Sequence, residues 1–365
     1  MQTAQLAHLY LFTRTPLHVG AGGSVGAIDQ PIQRERPTGY PIIPASTLKG
    51  VFADAWTDAE KLPQPDGSMK ETGRIIRSPD GRWLFGPDTN ATDHFAGAIQ
   101  FSDARLLAFP IRSARGCFAW ITSPLILRRA VRDGVIDQAF LDALVEPSDE
   151  QAIFDNTAQS KIALNGKIVL EEYTFDHVDR ALSRNTTRNG QAHTETLSDA
   201  LAGLFSQEAV WQEVKNRLVI LSDGMMSFFA RNACEIAQHV RISDQTGTAE
   251  KGGLFNQENV PSEALFYALV HAYDSRMRGN GNIAFQKLAG TNAQPTNETR
   301  PAADLKADDA AGAFRAKLAK CPVFQFGGDA STGLGFCAVR VAPVTQPQQS
   351  TPQPPANPNN PGGDQ

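Results

Sequence analysis

Cysteine is scarce and scattered in this chain. Cys117, Cys234, Cys321 and Cys337 are the only four among 365 residues. No C-x-x-C pair or Cys/His cluster occurs, which argues against a structural zinc site or a disulfide framework and fits reduced thiols in a cytoplasmic protein. Long apolar runs are also missing: nothing approaches the roughly 20 residues of a membrane span, so no membrane partner is expected. The opening M-Q-T-A-Q-L-A-H-L-Y has no basic region followed by an apolar one, so no secretory signal is expected. Neither G-x-x-x-x-G-K-[ST] nor G-x-G-x-x-G after a strand is found, which removes the common nucleotide-cofactor motifs. There is no excess of basic charge. The formal net charge of -5 argues against a protein that coats nucleic acid non-specifically by bulk charge.

A local basic groove remains compatible with that total, because phosphate attraction is screened within about 8–10 Å. Charge is unevenly spread along the chain. Arginines 105, 112, 115, 128, 129 and 132 fall in a stretch without an acidic residue, while acids gather in Asp142–Asp155 and Asp304–Asp309. The arginine-rich stretch reads either as a groove or as a solvated face. With 41% hydrophobic residues, the chain is long enough for a substantial core or for one core with sizeable insertions.

The densest signal lies between Thr15 and Gly50, where a strand runs into a glycine-rich loop (Gly20, Gly22, Gly23, Gly26). That loop carries Asp29 and a basic patch, and it ends at a helix start bearing Ser46, Thr47 and Lys49. A second glycine loop, F-Q-F-G-G-D-A-S-T-G-L-G-F, holds Gly327, Gly328, Gly333 and Gly335 near the C-terminal end. Glycines let a backbone approach a phosphate and aim N–H groups at it. Each loop alone also reads as a tight turn; two flanking the first and last strands suit a binding surface. Lys49 in the first helical turn, with the Ser46 and Thr47 hydroxyls, suits a phosphate seat, or equally a capped helix with an exposed lysine. Asp29 has no second carboxylate nearby in sequence except Glu35, and alone it reads as a turn-forming aspartate. His18 could contact RNA, act in acid/base chemistry, or sit half-buried in its strand.

Apolar patterning predicts strands over Leu6–Val19, Ala98–Phe109, Cys117–Ile121, Ser262–Tyr273, Pro322–Phe326 and Phe336–Val341. Helices are predicted over Ser46 to about Leu62, from Pro124, over Thr196–Asn216, Gly224–Asn232 and Leu305–Leu318. Asn165-Gly166 predicts a hairpin joining Lys161–Leu164 to Lys167–Phe175, and a second hairpin joins Ile236–Ile242 to Lys251–Phe255. The alternation lacks a regular βαβα period and favours an α+β fold. Seven prolines among Gln, Asn, Thr and Gly mark 343–365 as a disordered Pro/Gln-rich tail.

Six collinear segments resemble the RAMP superfamily (repeat-associated mysterious proteins) of CRISPR effectors. They are T-P-L-H-V-G with G-A-I-D-Q-P-I-Q-R-E, T-G-Y-P-I-I-P-A-S-T-L-K-G, F-A-W-I-T-S-P-L-I-L, V-R-I-S-D-Q-T-G-T-A-E-K-G-G-L-F, and G-G-D-A-S-T-G-L-G-F. Within the superfamily the chain resembles the repeated backbone subunit of type III-B, or Cmr, complexes. Ala45 stands where that pattern commonly has glycine, and the resemblance does not supply roles for the long polar inserts near 180–195 and 280–303. The resemblance implies a modified RRM-like (ferredoxin-like) palm over residues 1–342, with a thumb hairpin inserted at 236–258.

It further implies an endoribonuclease that binds a CRISPR guide RNA and cuts complementary target RNA, with copies of the chain stacked in a helical filament. The other partners implied are the small helical subunit, the large polymerase-like subunit and the capping RAMP subunits. Asp29 is the catalytic residue so implied. His18, Ser46, Lys49, Gly327, Gly328 and Gly333 fall on the RNA-binding face, and Arg34, Arg241 and Thr332 are assigned to it as well. A lone carboxylate suffices in principle, because the RNA 2′-OH is the nucleophile once the backbone is splayed and positioned. Asp29 would then help hold Mg²⁺ or another divalent cation, which commonly takes one or two protein carboxylates. The alternatives are a type III-A backbone subunit, another RAMP subunit, a non-catalytic structural subunit, and a free-standing precursor-processing RNase.

Overall fold

A computed structural model describes residues 5–23, 26–64, 68–88, 91–158, 160–188, 191–278, 281–290 and 293–343. From residue 344 onward the expected tail lies outside the described residues.

Four strands and two helices form the centre. In chain order they are β1 (Gln5–Thr13), α1 (Ala45–Asp54), β2 (Ala104–Ser113), β3 (Leu265–Ala272), α2 (Ala307–Lys320) and β4 (Phe336–Pro343). They pair antiparallel in the order β4–β1–β3–β2, with Leu9 of β1 opposite Ala268 on one side and Val341 on the other. Residues 7–13 of β1 are all buried, as its two-sided apolar pattern requires. The two helices meet through aromatic rings. Phe52 of α1 lies 5.1 Å from Phe314 of α2 and 5.0 Å from Phe324, and Trp56 stacks 5.8 Å from Phe314. Past β2 the sheet continues through Cys117–Thr122, Leu218–Ile220, Gln151–Phe154, Tyr173–His177 and Lys167–Leu170. Pairing of Ser113 with Leu170 closes these strands back on β2, giving a barrel-like end to an α+β fold.

Hairpins stand off this body. The one formed by Glu235–Ile242 and Ala249–Asn259 covers the stretch expected for the thumb and is a two-stranded sheet of its own. Both polar inserts are hairpins too, Ser183–Arg188 with Gln191–Thr196 and Asn282–Lys287 with Thr296–Pro301.

Several boundaries differ from expectation. The helix predicted to run to Leu62 ends at Asp54, because Trp56 turns inward against Phe85 and Phe314, and Thr57–Pro63 pairs with Met69–Arg77 instead. Tertiary pairing here overrides a helical spacing that local propensity only weakly supports. The strand predicted over Ala98–Phe109 breaks at Asp103, whose carboxylate accepts from the Ala45 N–H (2.8 Å) at the start of α1. The long helix predicted over Thr196–Asn216 is a capped helix, Leu197–Leu204, followed by a separate 3₁₀ turn, Trp211–Asn216. Asn165-Gly166 does turn the chain with positive φ at both residues, but it joins Leu164 to Lys167 by a single bridge. The hairpin proper reverses instead at Glu171, between Lys167–Leu170 and Tyr173–His177.

Candidate nucleic-acid interface

Four consecutive polar residues, Asn256 to Asn259, end the second strand of the hairpin expected for the thumb, and they gather most of the site. Strand alternation would bury only every second one, yet Gln257, Glu258 and Asn259 are all buried. Each is occupied. Glu258 Oε1 pairs with Arg34 Nη2 at 2.5 Å, and its Oε2 accepts from the Ile32 N–H at 3.1 Å. Its carbonyl accepts from His18 Nδ1 at 2.7 Å. A carbonyl only accepts, so Nδ1 carries a proton and Nε2 is the atom left for other partners. Gln257 Nε2 donates to Asn259 Oδ1 and, at 2.8 Å, to Asp329 Oδ2 in the C-terminal glycine loop.

Asp29 is exposed and docked on the same strand. Its N–H donates to Asn256 Oδ1 (2.8 Å), its Oδ2 accepts from the Asn256 N–H (2.9 Å), and Asn256 Nδ2 donates to the Ala27 carbonyl (3.0 Å). The Gln30 N–H donates to the Asn256 carbonyl, and the Glu258 N–H to the Gln30 carbonyl, so the loop joins the thumb by short strand-like pairing. Asp29 Oδ1 has no protein partner among the described residues.

The two glycine loops meet at His18. The Gly328 N–H donates to the His18 carbonyl (2.9 Å), and the Gly335 N–H donates to the Pro16 carbonyl (2.8 Å). Gly327 has φ +77°, and a Cβ there would overlap the His18 carbonyl oxygen. This close approach, rather than flexibility, is what the residue supplies. Gly20 pairs with Ile32, and the Gln33 N–H donates to the Val19 carbonyl, closing the N-terminal loop at its base. Asp329 takes a left-handed conformation (φ +59°), and its carbonyl accepts from Thr332 N–H and Oγ1.

The structure therefore brings Asp29, His18, Arg34, Gly327 and Gly328 together, with Thr332 and Gly333 in the same loop. It also assigns them different work. Arg34 faces inward: Nη1 donates to the Gly39 and Ala230 carbonyls, and Nη2 is held by Glu258. Its guanidinium is spent on the scaffold beneath the surface. The half-buried Cys234 thiol beside it is pushed up to about 12, chiefly by desolvation. His18 is likewise buried under the loops. Arg241 lies further out on the hairpin, exposed, 3.8 Å from Glu250. Ser46 and Lys49 are exposed on α1 beside a depression of about 370 Å³, and no hydrogen bond among the described residues joins them to Asp29. Pro44, not Ser46 or Thr47, occupies the helix cap, and the Asp103 carboxylate takes the first N–H.

The run of six arginines does not make a basic groove. Arg105 pairs with Asp133 and Glu35, Arg112 with Glu171, Arg128 with Glu146, Arg129 with Glu35 and Arg132 with Asp133; Arg115 donates to the Ala163 carbonyl. Burial alone would raise the Asp133 carboxyl, but hydrogen bonds from Arg132 and Tyr267 outweigh it and hold the group below its ordinary range. Glu35, the nearest second acid in sequence, is drawn to Arg129 and Thr38. Asp329 is instead the acid tied to the same thumb strand. Sequence reasoning missed Asn256, Glu258 and Asp329; the unbroken polar run N-Q-E-N at a strand end was the available signal.

Among the described residues no group of three His, Cys, Asp or Glu is arranged to hold a metal, and no helix is long and apolar enough to cross a membrane.

With the fold and this site in view, the chain can be set beside known proteins. The RAMP superfamily model matches residues 11–338, and the chain belongs to that superfamily. It is 33% identical over 264 residues to the CRISPR system Cmr endoribonuclease Cmr4 of Pyrococcus furiosus, covering 71% of this chain and 79% of that protein. It is 27% identical over 290 residues to the CRISPR system CMR subunit Cmr4 of Saccharolobus solfataricus, covering 72% and 82%. The oligomeric crystal structure of Cmr4 from P. furiosus superposes with a TM-score of 0.57 at 23% identity, over 94% of this chain and all of that one. A chain of the type III-B Cmr-beta complex bound to cognate target RNA gives 0.56 at 19% identity, over 93% and 97%. At these identities the two structural matches speak to the fold.

Proposed function

We propose that this chain is a guide-RNA-binding backbone subunit of a type III-B CRISPR effector complex and cleaves complementary target RNA. The reading rests above all on Asp29, an exposed acid fixed to the base of the thumb hairpin in a chain 33% identical to a Cmr endoribonuclease. Strands β4–β1–β3–β2 with α1 and α2 form its RRM-like palm, within one RAMP domain over 1–342, and the hairpin at 236–258 is the thumb. Gly327, Gly328, Thr332 and Gly333 offer backbone and hydroxyl contacts to guide phosphates; His18 and Arg34 hold the loops that make those contacts. Ser46, Lys49 and Arg241 supply exposed polar and cationic groups along the RNA path. Partners are the guide, the target, further copies of the chain in a helical filament, and the small helical, large polymerase-like and capping RAMP subunits, in the cytoplasm.

Cleavage needs no water-activating triad. The thumb separates bases of the guide–target duplex, the ribose 2′-OH comes into line with its own 3′-phosphate, and attack expels the 5′-oxygen of the next nucleotide to leave a cyclic phosphate. Alignment of this kind is worth up to about 7–11 kcal/mol in ideal cases. The unpartnered Oδ1 of Asp29 is a hard oxygen donor that fits Mg²⁺ or another divalent cation. Such an ion, when bound with RNA phosphate and water, supplies charge stabilisation at the phosphate. Purified with its natural partners, the protein should carry a short guide RNA and cut a complementary RNA in the presence of Mg²⁺, leaving a mismatched one intact. Absence of co-purifying RNA, or equal cutting of both substrates, would contradict the proposal.

A further inference from the structure

Asn256 stands out among the residues around Asp29 because its hydrogen bonds to the loop run in both directions. Asp29 N–H donates to Asn256 Oδ1, the Asn256 N–H donates to Asp29 Oδ2, and Asn256 Nδ2 reaches back to the Ala27 carbonyl. One side chain thus adds two fixed points, at residues 27 and 29, to a loop otherwise paired to this strand through the Gln30 backbone. Asn256 also belongs to the strand Ala249–Asn259, the returning arm of the thumb.

We propose that Asn256 is a positioning residue for Asp29, coupling the acid to the thumb so that wedge and carboxylate move as one body. This rests on the reading of Asp29 as the catalytic residue. The backbone half of the clamp aims the carboxylate, since Oδ2 is held by the Asn256 N–H while Oδ1 has no partner among the described residues. The side-chain half holds the loop backbone at residues 27 and 29. If the thumb displaces a nucleotide, the acid arrives at a fixed offset from it, which a loop moving independently could not guarantee. Displacing a reacting group by about 1 Å can cost about 100-fold in rate.

Asn256→Ala removes the two side-chain bonds and leaves the backbone bond. In the assembled complex, single-turnover cleavage at saturating target should fall about 10- to 100-fold. The target concentration giving half-maximal rate, guide-RNA retention and thermal midpoint should stay as in wild type. Asn256→Ser, too short to make both bonds, should reproduce this split and serves if the alanine variant assembles poorly. Asp29→Ala is measured alongside. If Asp29→Ala cuts normally, the parent reading fails. If Asp29→Ala is inactive while both Asn256 variants cut at the wild-type rate, the positioning role alone fails. A shifted half-maximal concentration or lost guide with an unchanged maximal rate would also overturn it, by making Asn256 a binding residue.

Discussion

Glu258 illustrates how a single buried residue organises a surface it never reaches: Arg34 and the Ile32 N–H converge on its carboxylate, and His18 on its main-chain carbonyl. Breaking such a pair by removing one partner typically costs about 3–5 kcal/mol, because the other charge is left buried. Arg34→Ala should therefore lower the thermal midpoint of the isolated protein, an effect a pure RNA-contact residue would not have. Glu263 is the opposite case. Burial, with Glu208 nearby, pushes its carboxyl up to about 6 despite Arg14, and its Oε2 is buried without a partner. The fold then favours the neutral acid, so that stability is present below the ordinary glutamate range and is lost as pH rises through about 6. Glu263→Gln should raise the thermal midpoint near pH 8 and change it little near pH 4; the reverse pattern would refute this environment. Lys49 is exposed with a free path to solvent. If it meets a guide phosphate, Lys49→Glu should weaken guide binding and reduce the salt slope by about 0.7. An unchanged slope would place Lys49 off the RNA path.

The thumb hairpin was legible in sequence as an element, since apolar runs flank D-Q-T-G-T, but its working end was not. Patterning locates strands; it does not say that N-Q-E-N will be buried, because that depends on loops from both chain ends folding over it. The α1 boundary failed for a related reason: Trp56 packs on an aromatic cluster contributed by residues far along the chain. The hairpin's outward face carries Val240 and Leu254, cross-strand partners 50% and 68% exposed. Much of this apolar surface lies outside the core, and under the proposed function it suits insertion between bases. Val240→Ser with Leu254→Ser should leave the thermal midpoint nearly unchanged while slowing target cleavage at least about 10-fold, a loss of about 1.4 kcal/mol in transition-state stabilisation. Unchanged cleavage would mean that this face is not the wedge.

Over the whole molecule, charge is balanced locally rather than segregated. Each arginine of the 105–132 run is held by a carboxylate or carbonyl; Arg132 meets its neighbour Asp133, but linear sequence could not reveal that Arg129, Arg105 and Arg112 find Glu35, Asp133 and Glu171 on other elements. With a net charge of -5, bulk attraction is not available, so under the proposed function contact with RNA would fall to the glycine loops and a few exposed cations. The α+β class and the grouping of both glycine loops with Asp29 were readable beforehand, because the motifs are collinear and glycine at a close approach is hard to replace. The most direct measurement is cleavage of a complementary RNA by the assembled complex carrying Asp29→Ala, with bound guide quantified in the same sample. Loss of cutting with full guide content is the predicted result. Wild-type cutting, or loss of guide and cutting in equal measure, would contradict a solitary acid acting on a backbone-held strand.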